Sequence, residues 1–324
     1  MTTSESGGGS FSSPVPAEGV RIHWEGLPSD VRESLEARLG ARVVGAATQP
    51  KGFSPGLAAR LRLADGRRVF MKAVSEKANP DTPDIHRREA QILAALPATV
   101  PAPRLLWSHD EGGWVALCLE DVDGRHPGEP WTGHDLDLVV SALIRMTAGL
   151  TPAPIAVDRT ASGAFATDIN GWQVAYERGE DRLGGWELKN LDRLAALEAL
   201  APAAAQGETL LHFDTRADNL LISGDRVYVL DWPWARTGAW WIDLVAMAPS
   251  VALQAGPAPE EFIDRLDLRG VPRQDLDAVI CAMAGYFAVR GLEPPPPGIP
   301  TVRAFQAAQG KVAVEWLRKR TGWA

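Results

Sequence analysis

Oxygen-bearing side chains lie on either side of two short apolar segments, residues 220–222 and 227–230, which are predicted as strands. Asp214 and Asn219 precede the first strand, and Asp231 directly follows the second. Because the segment between the strands is Ser-Gly-Asp, a turn sequence, the strands form a hairpin that gathers these groups at one edge. Carboxylate and carboxamide oxygens are ligands that Mg²⁺ prefers. The stretch therefore predicts a site with the chemistry of phosphoryl transfer.

A lysine and a glutamate in the N-terminal half form a second pair of interest. Lys72 lies in a strand of bulky apolar residues, where it is either a snorkelling edge residue or a buried cation with a partner. Glu89 lies on the next predicted helix, on or beside the packing face that includes Ile85 and Ile92, while residues 86–88 look like the solvated side. An acid beside an inward face is unusual unless it meets a cation. We therefore expect Glu89 to pair with Lys72.

The elements that must position these residues divide the chain into two lobes. An Asp-Gly hairpin signal and period-two patterns predict five strands, at residues 43–44, 58–63, 68–74, 105–108 and 114–119. One main helix is predicted between the third and fourth strands, at residues 81–96. Apolar periodicity stops at Gly124, and the remainder is predicted to be largely helical. We expect a disordered tail at residues 1–20, an N-lobe at 21–121 and a helical C-lobe at 122–324.

The turn between the first two strands is rich in Gly, Ser and Pro. Its Gly52, Ser54 and Gly56 would let backbone N–H groups approach an anion closely. The same composition is also typical of a flexible hairpin turn. The turn by itself leaves both interpretations open.

The set of residues resembles the aminoglycoside phosphotransferases and their relatives, the choline kinases and other small-molecule kinases, and more distantly the protein kinases. The resemblance rests on His212-x-Asp214-x-x-x-x-Asn219 followed by Asp231, and it extends to the strand lysine and helix glutamate over roughly residues 40–250. It implies an α+β, bilobal, protein-kinase-like fold. The N-lobe would be an antiparallel β-sheet with one main helix, and the C-lobe would be mostly helical with a catalytic β-hairpin.

The resemblance also implies a role for each residue of the set. Lys72, held by Glu89, would contact the phosphates of ATP or GTP, and Asn219 and Asp231 would hold Mg²⁺. Asp214 would accept the proton of the substrate hydroxyl and orient it for attack.

Other positions would support these roles. The Gly-rich turn would cover the phosphates, and main-chain groups of Glu120 and Val122 would bind the nucleobase. His212 is expected to be structural, bonding backbone near Asp231, rather than a base. Asp243 matches an acid that braces the catalytic loop from a helix N-terminus.

The sequence departs from the family pattern beside the predicted catalytic residue. Family members of this kind usually carry Gly where this chain has Phe213, so the packing of the loop is altered. After the metal aspartate come Trp232 and Trp234, which are either core residues or an aromatic wall for an acceptor with flat or apolar parts. Acids that would suit a cationic acceptor, or equally a solvated helix face, are Asp168, Glu177, Glu180 and Asp181.

The composition is that of an ordinary globular protein, with 45% hydrophobic and 23% charged residues among 324. A net charge of −8 argues against a nucleic-acid partner. No apolar run approaches the ~20 residues needed to span a bilayer, and the N-terminus lacks a signal-peptide pattern. Cys118 and Cys281 are predicted as buried thiols. We expect a cytoplasmic protein without a membrane partner; the sequence does not indicate its oligomeric state.

These observations predict a kinase that phosphorylates a hydroxyl of an antibiotic, aminoglycoside-like or nucleoside-like, or of a sugar-like metabolite. The alternative is a non-catalytic module that kept the fold and binds a nucleotide or another ligand. The presence of the whole set Lys72, Glu89, Asp214, Asn219 and Asp231 weighs against that alternative, because a degenerate site usually loses at least one member.

Overall fold

A five-stranded antiparallel sheet forms the core of the N-lobe in the computed structural model, which describes residues 19–324. Its strands are β1 (Val43–Thr48), β2 (Leu57–Leu63), β3 (Arg68–Ser75), β4 (Leu105–Glu111) and β5 (Trp114–Glu120). They lie in the order β1-β2-β3-β5-β4, and β3 is therefore central. The predicted strands are confirmed, as is the Asp-Gly turn, where Gly66 has a φ of 89°.

The N-lobe helices are α1 (Ser29–Leu39) and α2 (Thr82–Ala95), with a 3₁₀ turn at Trp24–Gly26. The predicted packing face of α2 is wrong by about one residue. Its buried stripe includes His86, Glu89 and Leu93, whereas Ile85 and Ile92 are only half-buried. The physical reason is electrostatic, since Glu89 must face a lysine on β3 and the whole helix is turned to allow it.

The C-lobe is mostly helical, as predicted. Its helices are α3 (Gly133–Gly149), α4 (Ala161–Thr167), α5 (Gly171–Arg178), α6 (Gly185–Lys189), α7 (Leu191–Glu198), α8 (Ala201–Ala204), α9 (Ile242–Ala246), α10 (Ala248–Leu253), α11 (Pro259–Ile263), α12 (Arg273–Arg290) and α13 (Val302–Thr321). Helices α9 and α10 follow each other directly but do not form one continuous helix, because Pro249 lacks the N–H that a continuous helix needs. The fully buried Trp172 donates to the carbonyl of Cys281 at 2.8 Å in the centre of this lobe.

Four short strands place the polar residues of the C-lobe. They are β6 (Thr209–Leu211), β7 (Leu220–Ser223), β8 (Arg226–Val229) and β9 (Arg236–Gly238). The β7–β8 pair is the predicted hairpin, with Leu220 opposite Val229. The β6–β9 pair was not predicted, because strands of three residues carry too little periodicity to be recognised. This pairing places the segment that starts at His212 beside the segment that ends at Ala235, because Leu211 pairs with Arg236.

The described chain begins with residues that already belong to the N-lobe. Gly19 and Val20, placed in the tail by the sequence, donate to the carbonyls of Gly52 and Gly298, each at 2.9 Å. The rest of the predicted tail, residues 1–18, lies outside the described residues. At the other end of the lobe, Arg60 Nε and Arg68 Nε donate to Asp121 just after β5, at 2.5 and 2.7 Å.

The remaining findings concern the two cysteines and the character of the helices. Cys118 and Cys281 are both buried and free, as predicted. Among residues 19–324, no helix combines the length and the apolar character that crossing a membrane would require.

Candidate active site

The loop at residues 212–219 begins where β6 ends and is fixed by one buried carboxylate. Asp243, in the first turn of α9, accepts the backbone N–H groups of His212 at 2.6 Å and Phe213 at 2.9 Å. Its own carbonyl accepts the hydroxyl of Thr215 at 2.7 Å. Burial raises the pKa of Asp243 to about 6, and the two N–H donors oppose that rise. Asp243 thus holds the main chain of the loop in place.

The imidazole of His212 is fully buried, and both of its nitrogens are occupied. Nε2 donates to the carbonyl of Leu230 at 2.7 Å, and Nδ1 accepts the backbone N–H of Asp214 at 3.2 Å. Burial lowers the pKa of His212 to about 4, so the ring is neutral with its proton on Nε2. The ring of Trp232 packs edge-on against it, with 4.8 Å between centroids. These contacts tie the loop to the residue before Asp231.

The carboxylate of Asp214 is oriented by two polar neighbours. Oδ1 accepts from Arg216 Nη1 at 2.8 Å, and Oδ2 accepts from Asn219 Nδ2 at 3.1 Å. Burial raises the pKa of Asp214 to about 7, against the opposing charge of Arg216. A carboxylate with a pKa near neutrality is well matched to general-base work at physiological pH.

Lys72, Glu89 and Asp231 form an ionic triad that joins the two lobes, with Lys72 and Glu89 largely buried and Asp231 partly exposed. Lys72 Nζ lies 2.7 and 2.8 Å from the two carboxylate oxygens of Glu89, and it also donates to Oδ1 of Asp231. The side chains of Lys72 and Glu89 are 13% and 3% exposed, so Lys72 is not a snorkelling edge residue. Burial opposes the ammonium charge, but the two carboxylates override it and raise the pKa of Lys72. Lys72 likewise overrides burial at Asp231 and lowers the pKa of that group to about 2.

Asn219 and Asp231 each keep one side-chain oxygen without a hydrogen-bond partner among residues 19–324. Asn219 uses Nδ2 for Asp214, which leaves Oδ1 free, and Asp231 uses Oδ1 for Lys72, which leaves Oδ2 free. Mg²⁺ commonly takes one or two carboxylate ligands and completes its shell with phosphate oxygens and water. In the described part of the chain, no three His, Cys, Asp or Glu residues are grouped to hold a metal by themselves. The donor pair therefore fits a Mg²⁺ ion that is shared with a phosphate ligand.

A cavity of about 320 Å³ lies between the lobes and contains most of these groups. Its walls include Lys72, Glu89, Asn219 and Asp231. Gly52, in the turn before β2, also lines the cavity. This volume is within the range of small-molecule sites. The structure thus brings together residues that are separated by up to 159 positions in the sequence.

The segment after β5 also lines the cavity, but only part of its main chain is available to a ligand. The N–H of Glu120 donates to the carbonyl of Arg104 at 3.0 Å, and the carbonyl of Val122 accepts from Arg60 at 2.9 Å. The N–H of Val122 has no partner among the described residues. It is therefore the donor that a nucleobase would meet here.

The carbonyl groups of the Gly-rich turn, rather than its N–H groups, point toward the side chain of Arg21. The guanidinium of Arg21 donates to the carbonyls of four turn residues, Gln49, Lys51, Gly52 and Ser54. Gly52 has a φ of 96°, and a Cβ there would lie 2.8 Å from Arg21 Nη2. Arg21 thus organises the turn from within and lines the cavity.

Two residues of this turn do not act as the sequence predicted. The N–H of Gly56 donates to the carbonyl of Val20 at 3.0 Å, so it is not available to a phosphate. A Cβ at Gly56 would meet the carbonyl oxygen of Ala73 at 2.5 Å, which explains the glycine by close packing on β3. Ser54 directs its carbonyl to Arg21 and, like Gly56, is not part of the cavity wall. The N–H of Gly56 therefore cannot contact phosphate in this arrangement, while the contact expected of Ser54 stays a prediction.

The two tryptophans after Asp231 have different environments. The indole of Trp232 has no exposed surface and donates to the carbonyl of Val229 at 2.9 Å, so of its two interpretations the structure favours the core residue. It turns inward because Asp231 adopts a left-handed φ of 62° and because the ring packs on His212. Trp234 is half-buried and stays a candidate for acceptor binding.

Phe213 shows how the chain tolerates a departure from the usual glycine. Its φ of 65° is left-handed, which costs a residue with a Cβ about 1–2 kcal/mol. The ring packs against Phe165, with 5.8 Å between centroids, and the guanidinium of Arg236 lies 4.1 Å from its centre. These contacts offset the backbone strain.

The acids that would suit a cationic acceptor are mostly solvated. Glu180 pairs with Arg182 at 2.6 Å, while Asp168, Glu177 and Asp181 are exposed. The solvated-face interpretation therefore describes these residues better than an acid-lined acceptor site does.

Sequence reasoning missed two cations of the site. Arg216 pairs with both Asp214 and Asp218, and its guanidinium lies 5.6 and 5.3 Å from the rings of Phe53 and Phe305. The sequence did offer a signal for Arg216, since this cation lies only two residues after Asp214, the predicted base. Arg21 gave no local signal, because its carbonyl partners lie 28 to 33 positions away.

The fold and site together are those of a kinase-like enzyme that transfers a phosphoryl group. A model of APH, the phosphotransferase enzyme family, matches residues 51–277. The chain belongs to this family of phosphotransferases. No curated protein sequence matches the chain significantly.

Solved structures of similar fold agree with this assignment. A thermostable mutant of aminoglycoside phosphotransferase APH(4)-Ia, in complex with ADP and hygromycin B, superposes with a TM-score of 0.64 at 13% identity, covering 90% of this chain and 99% of that one. The amicoumacin kinase hAmiN, in complex with AMP-PNP, Ca²⁺ and Ami, gives 0.55 at 10% identity, covering 88% and 94%. An aminoglycoside-3'-phosphotransferase of type VIII gives 0.52 at 21% identity, covering 79% and 98%. At these identities the likeness shows a shared fold.

Proposed function

We propose that this protein transfers the γ-phosphoryl group of ATP or GTP to a hydroxyl of a small molecule, an antibiotic or a sugar-like metabolite. The observation that carries the proposal is the contact of Lys72 with both Glu89 and Asp231 at the cavity between the lobes. That contact places Lys72, the proposed phosphate-binding cation, beside Asp231, the proposed metal-binding carboxylate. The nucleotides ADP and AMP-PNP in the similar structures support a nucleotide as the co-substrate here.

Each residue of the site would contribute positioning or charge, which is most of what phosphoryl transfer requires. Lys72, held by Glu89, would contact the α- and β-phosphates, and the N–H of Val122 would bind the nucleobase. Asp214 would accept the proton of the attacking hydroxyl, with its carboxylate held by the Nδ2 group of Asn219.

Asn219 and Asp231 would hold the metal of this reaction. Mg²⁺, when bound, neutralises the charge that develops on the β- and γ-phosphates. Asp231 has a pKa of about 2 and is therefore ionised throughout the physiological range, as a ligand for a cation must be.

Product analysis tests the proposal. The full chain is incubated with Mg²⁺, ATP or GTP, and a panel of aminoglycosides, nucleosides and sugars, and the products are examined by mass spectrometry. One acceptor class should gain a single phosphoryl group as a phosphate ester, with an equal amount of nucleoside diphosphate released. Nucleotide binding in a thermal-shift assay without any product would favour the non-catalytic module, and absence of nucleotide binding would contradict the proposal.

The pH dependence of turnover should report Asp214. Because the pKa of Asp214 is raised to about 7 by burial and the group acts as a base, kcat/KM should rise with pH between 6 and 8 and then level off. Initial rates in buffers of constant ionic strength would measure this. A profile that is flat from pH 6 to 8 would count against Asp214 as the proton acceptor.

Replacement of Arg21 by methionine should weaken nucleotide binding more than it slows the chemical step. Arg21 holds the turn at the cavity through four carbonyl groups and adds positive charge there. We expect KM for the nucleotide to rise by about 10-fold, with kcat changed by less than about 3-fold. Steady-state kinetics would separate the two, with Arg67→Met on the exposed turn after β2 as the matched control. An unchanged KM would show that Arg21 has no part in nucleotide binding.

A further inference from the structure

Three arginines gather beside the loop that carries Asp214. Arg88 comes from α2 and Arg159 from the segment before α4, and their guanidinium carbons lie 5.6 and 5.8 Å from the ring centre of Trp234. Arg236, on β9, lies 4.1 Å from the ring centre of Phe213, the residue immediately before Asp214. The cluster thus spans both lobes at the edge of the proposed catalytic centre. We call Arg88, Arg159 and Arg236 the arginine cluster.

The charge of the arginine cluster is not neutralised by ion pairs with the described residues 19–324. The Nε atom of Arg88 is buried and has no hydrogen-bond partner there. Arg159 and Arg236 donate only to main-chain carbonyls, those of Pro233 at 3.3 Å and Trp234 at 3.1 Å. Arg236 is 6% exposed, and burial together with the charge of Arg159 lowers its pKa to about 10. Arg88 and Arg159 are half-buried, and the buried Arg236 is unfavourable as an unpaired cation unless an anion completes the site.

The acids nearest to the arginine cluster are engaged elsewhere or lie at longer range. Asp84 pairs with Arg87 at 2.7 Å. The carboxylate of Asp243 accepts two backbone N–H groups of the catalytic loop. Asp168 is exposed and forms no ion pair with the cluster. The arginines therefore keep guanidinium N–H groups for a ligand.

We propose that the arginine cluster binds an anionic group of the acceptor, a carboxylate, sulfate or phosphate, while the acceptor hydroxyl lies at Asp214. The inference rests on the proposed function and narrows its acceptor to anionic small molecules. Guanidinium groups suit planar carboxylates and phosphates because they donate two parallel hydrogen bonds. The half-buried ring of Trp234, with the guanidinium groups of Arg88 and Arg159 over it, keeps these two cations together beside the site. Phe213, whose ring carries the Arg236 guanidinium, directly precedes Asp214 in the chain.

Acceptors that differ only in charge test the preference. Two matched sets are glucuronate, glucose and glucosamine, and glycerate, glycerol and serinol, each assayed with Mg²⁺ and ATP or GTP. The anionic member should exceed the cationic member in kcat/KM by about 100-fold, since unpaired arginines favour the first and repel the second. Equal or higher turnover of the neutral or cationic members would overturn the proposal.

Two substitutions assign that preference to the arginine cluster. Arg88→Gln and Arg159→Gln should each raise KM for the anionic acceptor by about 10-fold. Arg159→Glu should shift the preference toward the amine of each set. Arg269→Gln, at a surface arginine with 90% of its side chain exposed, is the matched control and should change nothing. An unchanged KM in both glutamine variants would overturn the assignment.

A binding measurement separates the anion site from the proposed function. Sulfate is titrated into the wild type and the Arg88→Gln/Arg159→Gln variant by calorimetry, without nucleotide and at constant ionic strength. Binding in the wild type that is at least about 10-fold weaker in the double variant supports the site. Absence of binding, or equal binding by both proteins, overturns it. If the wild type makes no phosphorylated product, the proposed function fails while the sulfate titration still decides whether the anion site exists.

Discussion

Replacement of Asp214 by asparagine is expected to lower kcat by about 10²–10⁴-fold while the affinity for nucleotide changes little. Asparagine has nearly the same shape as aspartate and keeps a neighbour for Arg216, but it cannot accept the proton of the acceptor hydroxyl. Single-turnover phosphoryl transfer measures the chemical step, and calorimetry with Mg²⁺ and a non-hydrolysable nucleotide measures binding. Activity within about 10-fold of the wild type would remove Asp214 from the role of base.

The same variant should be more stable than the wild type at alkaline pH. Burial raises the pKa of Asp214 from 3.8 to about 7, so the folded state favours the protonated carboxyl more than the unfolded state does. The wild type therefore loses stability as the pH rises toward 7, and above pH 7 it carries the full cost, about 2–4 kcal/mol. The asparagine side chain of the variant carries no such charge. Thermal unfolding at pH 8 and pH 4 should show a gain for Asp214→Asn at pH 8 that is mostly absent at pH 4.

This combination separates catalysis from folding, because a variant that is inactive and more stable has not lost activity through unfolding. Asp225→Asn, on the exposed turn between β7 and β8, is the matched control. It should change neither the rate nor the pH dependence of stability. A destabilised Asp214→Asn protein at pH 8 would indicate that Asp214 instead supports the loop through its contact with Arg216.

The residues with the clearest chemistry could be predicted because their environment in the sequence demanded a partner. Lys72 lies among bulky apolar residues of a central strand, and such a cation requires a buried acid, which Glu89 supplies. Asp214, Asn219 and Asp231 could be placed together because they flank a hairpin whose two strands are only a few residues long. Local pattern was sufficient there, since the hairpin contacts are close in sequence.

Residues whose position depends on distant backbone could not be predicted. Arg21 acts through carbonyl groups 28 to 33 positions away, and nothing in its neighbours indicates that turn. Trp232 and Trp234 have the same residue type and similar flanks, yet the left-handed backbone of Asp231 sends the first into the core. The phase of α2 was wrong because hydrophobic periodicity favoured Ile85, whereas the ionic contact of Glu89 decides which face turns inward.

Replacement of Lys72 by methionine is expected to reduce phosphoryl transfer by at least about 10²-fold and to lower the free energy of unfolding by about 3–5 kcal/mol. The rate falls because the phosphates lose a cation held in place on a rigid strand. Stability falls because the carboxylate of Glu89, with 3% of its side chain exposed, is left buried without a counter-charge. Urea unfolding at pH 7 measures the second effect, and single-turnover rates measure the first.

A second substitution distinguishes an unpaired charge from lost packing. In Lys72→Met/Glu89→Gln the buried charge is removed, so most of the lost stability should return while activity stays low. The deficit of Lys72→Met alone should also shrink as the pH falls toward 5, because an unpaired buried carboxyl has a raised pKa and becomes protonated there. Equal destabilisation of the single and double variants at every pH would mean that the strand and α2 are held by apolar contacts, with the ion pair serving the nucleotide alone. Recovery of stability without recovery of activity would instead show that one lysine both balances Glu89 in the fold and supplies positive charge to the phosphates.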